Sequence, residues 1–200
     1  MQQFANSIYG ESAERRAASA EESALTLKKA IERAMDGDLP IICASTYGSS
    51  ALQLVEMAQA MGCKSDLIVV RHHPHLKSDR TGVVQLMPKD MEQKLLEAGV
   101  KIVTATHLFD GMSRAAMVKY KGTETGIVVS DTLRMFGHGM KVAVECAVMA
   151  MEAGYLEYPQ KVVSIGGRGM GANTAIVTTP VPSSSFFELK IQEILCFNCV

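Results

Sequence analysis

The chain has 200 residues, of which 48% are hydrophobic and 20% charged, a composition that excludes a disordered or collagen-like protein. Its 20 Lys and Arg residues against 21 Asp and Glu residues give a net charge of -1, so its overall charge favours neither nucleic acid nor an anionic membrane as a partner. No apolar run reaches the roughly 18 residues of a membrane span, and the N-terminus lacks the features of a signal peptide. The five cysteines are not spaced like a disulfide framework, so we expect a reduced, cytoplasmic protein.

The organisation expected along the chain is an N-terminal arm over residues 1–18 and a single domain over residues 19–200. The arm is polar and rich in Ala and Ser. After it, Ser19 and Glu22 have the spacing of a capping box, and Gly37 stands where a glycine commonly ends a helix. Apolar residues recur at helical intervals between them, which predicts a helix over residues 20–36.

Short apolar runs then alternate with helical patterns. Strands are predicted over residues 40–44, 67–70, 101–105, 161–165 and 174–178, and helices over residues 49–61, 88–98 and 140–153 and within 123–136. The link of residues 166–173 is too short for a crossover, so the last two strands should be antiparallel. The predicted fold is α/β, a three-layer α/β/α structure with a mostly parallel five-stranded sheet whose last strand is antiparallel. The tail, residues 186–200, fits either a strand or a short helix.

A hydroxyl-rich segment follows the first strand, at the edge of the sheet where ligands of such folds bind. It comprises Ser45, Thr46, Tyr47, Gly48, Ser49 and Ser50. The free N–H groups of the helix that begins there, together with the hydroxyls, suit a phosphate group, and Gly48 would let the backbone approach the anion. A serine that only caps the helix is the alternative, but it accounts for one hydroxyl of five. Gly48→Val is therefore expected to weaken phosphate binding about tenfold and to leave the fold intact.

Histidines follow the second and third strands. Three of them lie within residues 72–75, but the proline among them stiffens the chain and no carboxylate or cysteine stands at ligand spacing, so no metal site is predicted. His73 is the candidate for contact with a bound ligand, and a solvent-exposed loop is the alternative. Thr106 and His107, after the third strand, either contact the ligand or make structural hydrogen bonds.

Two glycine-rich segments complete the candidate site. Gly137 and His138 stand at a sharp corner before a helix that is apolar almost all round. Inside that helix Glu145 must be paired, and anchoring the N–H groups of a loop is favoured over a role as a base. The loop after the fourth strand offers Gly166, Gly167, Arg168, Gly169, Asn173 and Thr174, with Arg168 as an anion clamp. A plain hairpin is the alternative for this loop.

A single CxxC motif, Cys196 and Cys199, stands at the end of the sequence. Without a second pair of ligands or a following helix, it favours neither a zinc site nor a thioredoxin-like role. Its role stays open.

Four segments of the chain together match one known family. They are ASTYG at residues 44–48, TH at 106–107, FGHGMKV at 136–142 with Glu145, and VSIGGR at 163–168 followed by NTA at 173–175. With them the chain, over about residues 20–197, resembles the stand-alone pyruvate kinase C-terminal-domain-like proteins of archaea and bacteria. The resemblance implies the fold of the pyruvate kinase effector domain, a phosphate held by residues 45–51, and FMN, which members of the family carry.

The expected function is binding of a phosphorylated planar ligand, with FMN as the implied cofactor. Arg168 is the one guanidinium expected at the strand ends, which favours one phosphate over the two of a sugar bisphosphate. The alternatives are a regulatory or sensing module for a sugar phosphate or another phosphorylated metabolite, and a flavin-dependent oxidoreductase. Pyruvate kinase activity is not expected because the chain has no room for a barrel. Whether the protein is an enzyme stays open, and a homo-oligomer is compatible with the sequence.

Overall fold

The computed structural model describes residues 18–75 and 86–197. The strands are β1 (Ile41–Ala44), β2 (Leu67–His72), β3 (Lys101–Ala105), β4 (Val162–Gly166), β5 (Thr174–Thr179) and β6 (Lys190–Cys196). The helices are α1 (Ala20–Gly37), α2 (Ser49–Ala60), α3 (Lys89–Glu97), α4 (Gly111–Tyr120), α5 (Thr125–Arg134) and α6 (His138–Glu152), and a 3-10 helix spans Ser183–Glu188. The arm predicted over residues 1–18 lies outside the described residues except for Ala18, and so does Cys199.

The strands form one mixed sheet in the order β3-β2-β1-β4-β5-β6. The three pairs β3–β2, β2–β1 and β1–β4 are parallel, whereas β4–β5 and β5–β6 are antiparallel. This confirms an α/β fold with a mostly parallel sheet. The prediction of five strands is wrong, because the tail adds β6 as an antiparallel edge strand. Two register shifts interrupt its pairing with β5, and most of its residues are exposed, so its sequence lacks the regular alternation by which strands are recognised.

Helix α1 begins with the predicted capping box, in which the Ser19 hydroxyl and the Glu22 carboxylate each accept a backbone N–H of the other residue. The helix ends one residue later than predicted, and Asp38 rather than Gly37 takes the left-handed conformation there. Its start is attached to the loop after β4. The N–H of Ala172 donates to the Ser23 hydroxyl at 2.9 Å, and the N–H of Ala18 donates to the carbonyl of Met170 at 3.2 Å.

The core lies on both faces of the sheet. On one face α1 and α2 pack against β1, β4 and β5, and α3 extends this layer over β2. On the other face α6 packs along β1, β2 and β4, and its backbone approaches β4 so closely that the Ser164 hydroxyl donates to the Ala143 carbonyl at 2.7 Å. No helix within residues 18–75 and 86–197 is long and apolar enough to cross a membrane.

Helix α4 is not predicted by the sequence, whereas α5 lies within the helical stretch predicted over residues 123–136. No residue of α4 is buried, and in α5 only Ser130 is. Since a helix that buries no apolar stripe has no periodic hydrophobic pattern, α4 carries no sequence signal. We refer to residues 111–134 as the α4–α5 hairpin.

Candidate functional site

Strand β1 is a topological switch point of the sheet, because β2 lies on one side of it and β4 on the other. In open α/β sheets the crevice beyond the carboxyl ends of two such strands is where ligands bind. A cavity of about 220 Å³ lies there, which is room for a small molecule rather than a single water. Its lining comes from the segment after β1, the end of β2, the loop after β3, the α4–α5 hairpin, the start of α6 and the loop after β4.

The N-terminus of α2 opens into this cavity. The N–H groups of Ser49 and Ser50, its first two residues, have no acceptor in the described part of the chain, and both residues line the cavity with Thr46. The hydroxyl of Ser45 accepts the N–H of Ala51 at 3.3 Å and so caps the helix from four positions before its start. The helix end therefore offers two free N–H groups and a positive dipole to an anion.

Gly48 is required here by packing, which corrects the role that the sequence suggested for it. Its φ is +93°, and a Cβ at this position would lie 2.1 Å from Cγ of Met91 in α3. Gly48 is absent from the cavity lining. Gly48→Val would therefore strain the backbone and displace Met91, so it disturbs the fold instead of testing phosphate binding.

A buried charged network lies beneath the cavity, centred on Glu145 in α6. Its Oε2 lies 2.5 Å from Nζ of Lys141 and 2.8 Å from Nδ1 of His107, and its Oε1 accepts the N–H of Phe109 at 3.1 Å. Glu145 is fully buried and the Lys141 side chain is 3% exposed. Burial alone would raise the pKa of Glu145, but the hydrogen bond from His107 and the charge of Lys141 outweigh it and hold the pKa well below its usual range.

Two histidine rings continue this network into the cavity. Nε2 of His107 lies 3.2 Å from Nε2 of His72, the last residue of β2, and the ring centroids are 4.0 Å apart. Both residues line the cavity. Burial and the nearby His107 lower the pKa of His72 to about 4, so this ring is neutral at pH 7.

Basic side chains from four secondary-structure elements and one loop surround the cavity. Arg71 (β2), Arg114 (α4), Arg134 (α5), Lys141 (α6) and Arg168 (loop after β4) all line it. Burial and the charges of Arg134 and Arg168 lower the pKa of His138 to about 3. Four of the five are paired with carboxylates: Arg71 with Glu92, Arg114 with Asp110, Arg134 with Asp131 and Lys141 with Glu145. The cavity therefore offers an anionic ligand several cationic hydrogen-bond donors, whose charges are balanced by neighbouring carboxylates.

Arg71 is held in place at the cavity by two hydrogen bonds. Its Nε donates to Oγ1 of Thr104 and its Nη2 to Oε1 of Glu92, both at 2.7 Å. Its Nη1 is buried and has no hydrogen-bond partner among the residues that the structure describes. A buried guanidinium nitrogen without an acceptor is costly, so this side chain has a donor to offer to an anion.

The structure brings most of the predicted site residues to the cavity, but not all of them. The predicted residues that line it are Ser45, Thr46, Tyr47, Ser49, Ser50, His107, His138, Gly167, Arg168 and Gly169. The predicted residues that do not line it are Gly48, His73, Thr106, Gly137, Gly166, Asn173 and Thr174.

Packing accounts for several of the residues that lie off the cavity. A Cβ on Gly139 would meet side-chain oxygens of Asn173 and Thr174 at 2.2 and 2.3 Å, and one on Gly166 would lie 2.1 Å from the carbonyl oxygen of Gly139. These residues therefore let α6 approach the end of β4. His73 lies beyond the end of β2, where its Nδ1 accepts the N–H of His75 at 3.3 Å, and His72 takes the place at the cavity that was expected for His73.

The functional residues that sequence reasoning missed are mainly cations. Arg71 precedes the histidines and Lys141 follows His138, so both stood in segments already singled out. Arg114 and Arg134 had no such signal, because they reach the cavity from the α4–α5 hairpin.

No family model matches the chain. Within the part of the chain that the structure describes, no three His, Cys, Asp or Glu side chains converge as a metal-binding group. The cavity and the residues that line it are therefore the basis for assigning a function.

Proposed function

We propose that the protein binds a phosphate-bearing small molecule in this cavity, with the phosphate at the N-terminus of α2. The observation that carries the proposal is the pair of N–H groups of Ser49 and Ser50, which have no acceptor in the described part of the chain and line the same cavity as Arg71. A phosphate would accept hydrogen bonds from these N–H groups and a charge-assisted one from Arg71, whose guanidinium is also paired with Glu92. The hydroxyl of Thr46 offers a further donor.

FMN is the first candidate for the ligand. Its single phosphate suits the N-terminus of α2, and its planar ring system suits the part of the lining that the imidazoles of His72 and His107 and the backbone of Gly167 and Gly169 provide. Flat rings and backbone N–H groups match the face and the polar edge of a heterocycle. The family resemblance implies the same ligand.

A sugar phosphate with a second anionic group, bound by a sensing module, is the second candidate. The preference for one phosphate assumed that Arg168 was the only guanidinium at the strand ends. Arg71, Arg114 and Arg134 also line the cavity, so that argument no longer excludes a second phosphate. Each of these three is paired with a carboxylate, Glu92, Asp110 or Asp131, so a second phosphate would compete with that partner for the guanidinium.

Titration with each ligand distinguishes the two candidates. FMN binding is followed by quenching of flavin fluorescence, and binding of a hexose bisphosphate by calorimetry. If FMN is the ligand, it binds in preference to the bisphosphate, and His107→Ala weakens it more than His75→Ala, because His75 is exposed and lies off the cavity. Preferential binding of the bisphosphate would favour the sensing module.

Arg71→Met tests the phosphate site whichever ligand binds. We expect the affinity to fall at least about tenfold, or roughly 1.4 kcal/mol, because a charge-assisted hydrogen bond is lost. Arg33→Met is the matched control, since Arg33 is also a partly buried arginine in an ion pair, with Glu193 at 2.7 Å, but is absent from the cavity lining. Equal affinities for the two variants would show that the phosphate lies elsewhere.

A further inference from the structure

Three side chains form a continuous line from the interior to the cavity. Glu145 contacts Nδ1 of His107 at 2.8 Å, and Nε2 of His107 contacts Nε2 of His72 at 3.2 Å. The carboxylate is fully buried, the His107 side chain is 23% exposed, and both rings line the cavity. Each contact joins one nitrogen to one acceptor or donor, so the positions of the hydrogens are linked along the line.

The contacts determine where the hydrogens stand when both rings are neutral. An ionised carboxylate accepts only, so Nδ1 of His107 carries a hydrogen and its Nε2 is bare. Nε2 of His72 must then carry the hydrogen that it donates to His107. Nδ1 of His72 is left with a free lone pair, and no hydrogen bond of this atom is found in the described part of the chain.

We infer that Glu145, His107 and His72 form a proton relay that provides the cavity with a general base. Nδ1 of His72 takes a proton from an O–H, N–H or acidic C–H group of the bound ligand, and the Nε2 hydrogen of His72 passes to Nε2 of His107. The imidazolium cation then rests on His107 beside Glu145, and His72 is neutral again with its hydrogen on Nδ1. The role toward a ligand depends on the proposed function, whereas the relay itself can be tested without one.

The surroundings oppose a positive charge on His72. Several charged and titratable groups surround the relay. They are Arg71 from β2, His73 just after β2, Asp110 and Arg114 from α4 and the loop before it, Arg134 from α5, Lys141, His138 and Glu145 from α6, and Arg168 from the loop after β4. Most of these are cations, which oppose a charge on His72. Glu145 is the acidic group in direct contact with His107, so the cation is most stable there. In this arrangement His72 would be the catalytic residue, and His107 and Glu145 would be positioning residues.

Nitrogen-15 NMR of the full chain with labelled histidine tests the relay directly. At pH 7 we expect His107 to carry its hydrogen on Nδ1 and His72 to carry its hydrogen on Nε2. A hydrogen on Nε2 of His107, or on Nδ1 of His72, at pH 7 would overturn the inference.

Two variants separate the relay from a purely structural contact. Glu145→Gln retains the shape of the side chain but removes the charge that keeps the hydrogen on Nδ1 of His107, so the Nε2 tautomer of His107 should become populated at pH 7. His107→Phe removes the acceptor for Nε2 of His72, so the hydrogen of His72 should also populate Nδ1, whereas His73→Gln, one residue away, should leave the tautomer of His72 unchanged. If Glu145→Gln fails to fold, the comparison of His107→Phe with His73→Gln decides by itself, and the same tautomer of His72 in these two would contradict the relay.

Modification with diethyl pyrocarbonate, mapped by mass spectrometry, tests whether the relay opens into the cavity. The reagent attacks neutral imidazole nitrogens, so His72 should be modified in the folded protein through its free Nδ1, and bound FMN should protect it. An unmodified His72 would overturn the relay. Modification that FMN does not prevent would leave the relay intact and would instead contradict FMN binding at this cavity.

Discussion

Helix α6 and the α4–α5 hairpin border the same cavity but are held in opposite ways. Eleven of the fifteen residues of α6 are buried, among them the ion pair of Lys141 with Glu145. In the hairpin α4 has no buried residue and α5 has one, while Met112, Tyr120 and Val128 are 89%, 70% and 50% exposed. Both elements nevertheless supply a cation to the cavity, Lys141 from α6 and Arg134 from α5.

The difference indicates that α6 and the hairpin have separate roles in the site. The groups proposed to move protons stand on or against α6, where tight packing fixes their distances. Two of the groups proposed to hold a ligand anion stand on the hairpin, where little buried surface opposes a small movement. Proton transfer, which requires fixed distances between the groups, is therefore assigned to the tightly packed helix α6. Anion binding, which tolerates small movements of the side chains, is shared with the hairpin.

The largest effect is expected from Glu145→Ala in α6. The substitution leaves Lys141 buried without a counter-charge and also removes the acceptor for the N–H of Phe109. Breaking a buried pair in this way costs about 3–5 kcal/mol. Urea unfolding followed by circular dichroism measures the loss, and a free energy of unfolding within 1 kcal/mol of the parent would mean that the pair is not needed for folding.

A smaller loss of stability is expected on acidification. His72 and His138 have pKa values of about 4 and about 3 in the fold, below the ordinary 6.5, so the unfolded chain binds more protons than the folded one between these values. The free energy of unfolding should thus be constant above about pH 7 and fall as the pH decreases from 6.5 towards 3. His138→Gln should make this decrease shallower, while His75→Gln should not change it.

The same small substitution should have different effects in the two regions. A Cβ on Gly166 would lie 2.1 Å from the carbonyl oxygen of Gly139 and 2.7 Å from the backbone nitrogen of Ala143, whereas one on Gly122, between α4 and α5, meets nothing within 4 Å. Gly166→Ala should therefore cost about 1–3 kcal/mol because the α6 backbone has to shift. Gly122→Ala should be close to neutral, and equal losses in thermal unfolding would contradict the difference in packing.

The smallest effect is expected from Met112→Ser in α4. The side chain is 89% exposed, so replacing it should change the free energy of unfolding by less than about 0.5 kcal/mol. Chemical denaturation beside Met140→Ser, whose side chain is 1% exposed in α6, provides the comparison. A large loss in the α4 variant would show that the hairpin is covered in solution.

Most of the fold could be predicted because its elements bury apolar residues in regular patterns. The continuous apolar runs of β1, β2 and β4 and the capping box before α1 are of this kind. Helix α4 and strand β6 were not predicted, because neither buries apolar residues in a regular pattern. The first has no buried face, and the second is an exposed edge strand with an interrupted register.

The location of the candidate site could be predicted, but not all of the residues that form it. The topology places the segments after β1 and β4 side by side, which brings Ser50 and Arg168 to one cavity. His72 rather than His73 lines the cavity, because β2 runs on to His72, two residues further than predicted. Arg114 and Arg134 could not be found, since their approach depends on how a weakly buried hairpin lies across the sheet.

Both ends of the described chain reach the edge of the sheet at which the cavity opens. The N–H of Ala18 bonds to Met170, which lines the cavity, and Cys196 pairs in β5 with Ala175, next to the partner of Gly166. A group attached at Ala18 or Cys196 therefore lies near this edge of the sheet. A fluorescent reporter at Ala18 is correspondingly well situated to sense when the cavity fills, whereas a bulky group there would obstruct it.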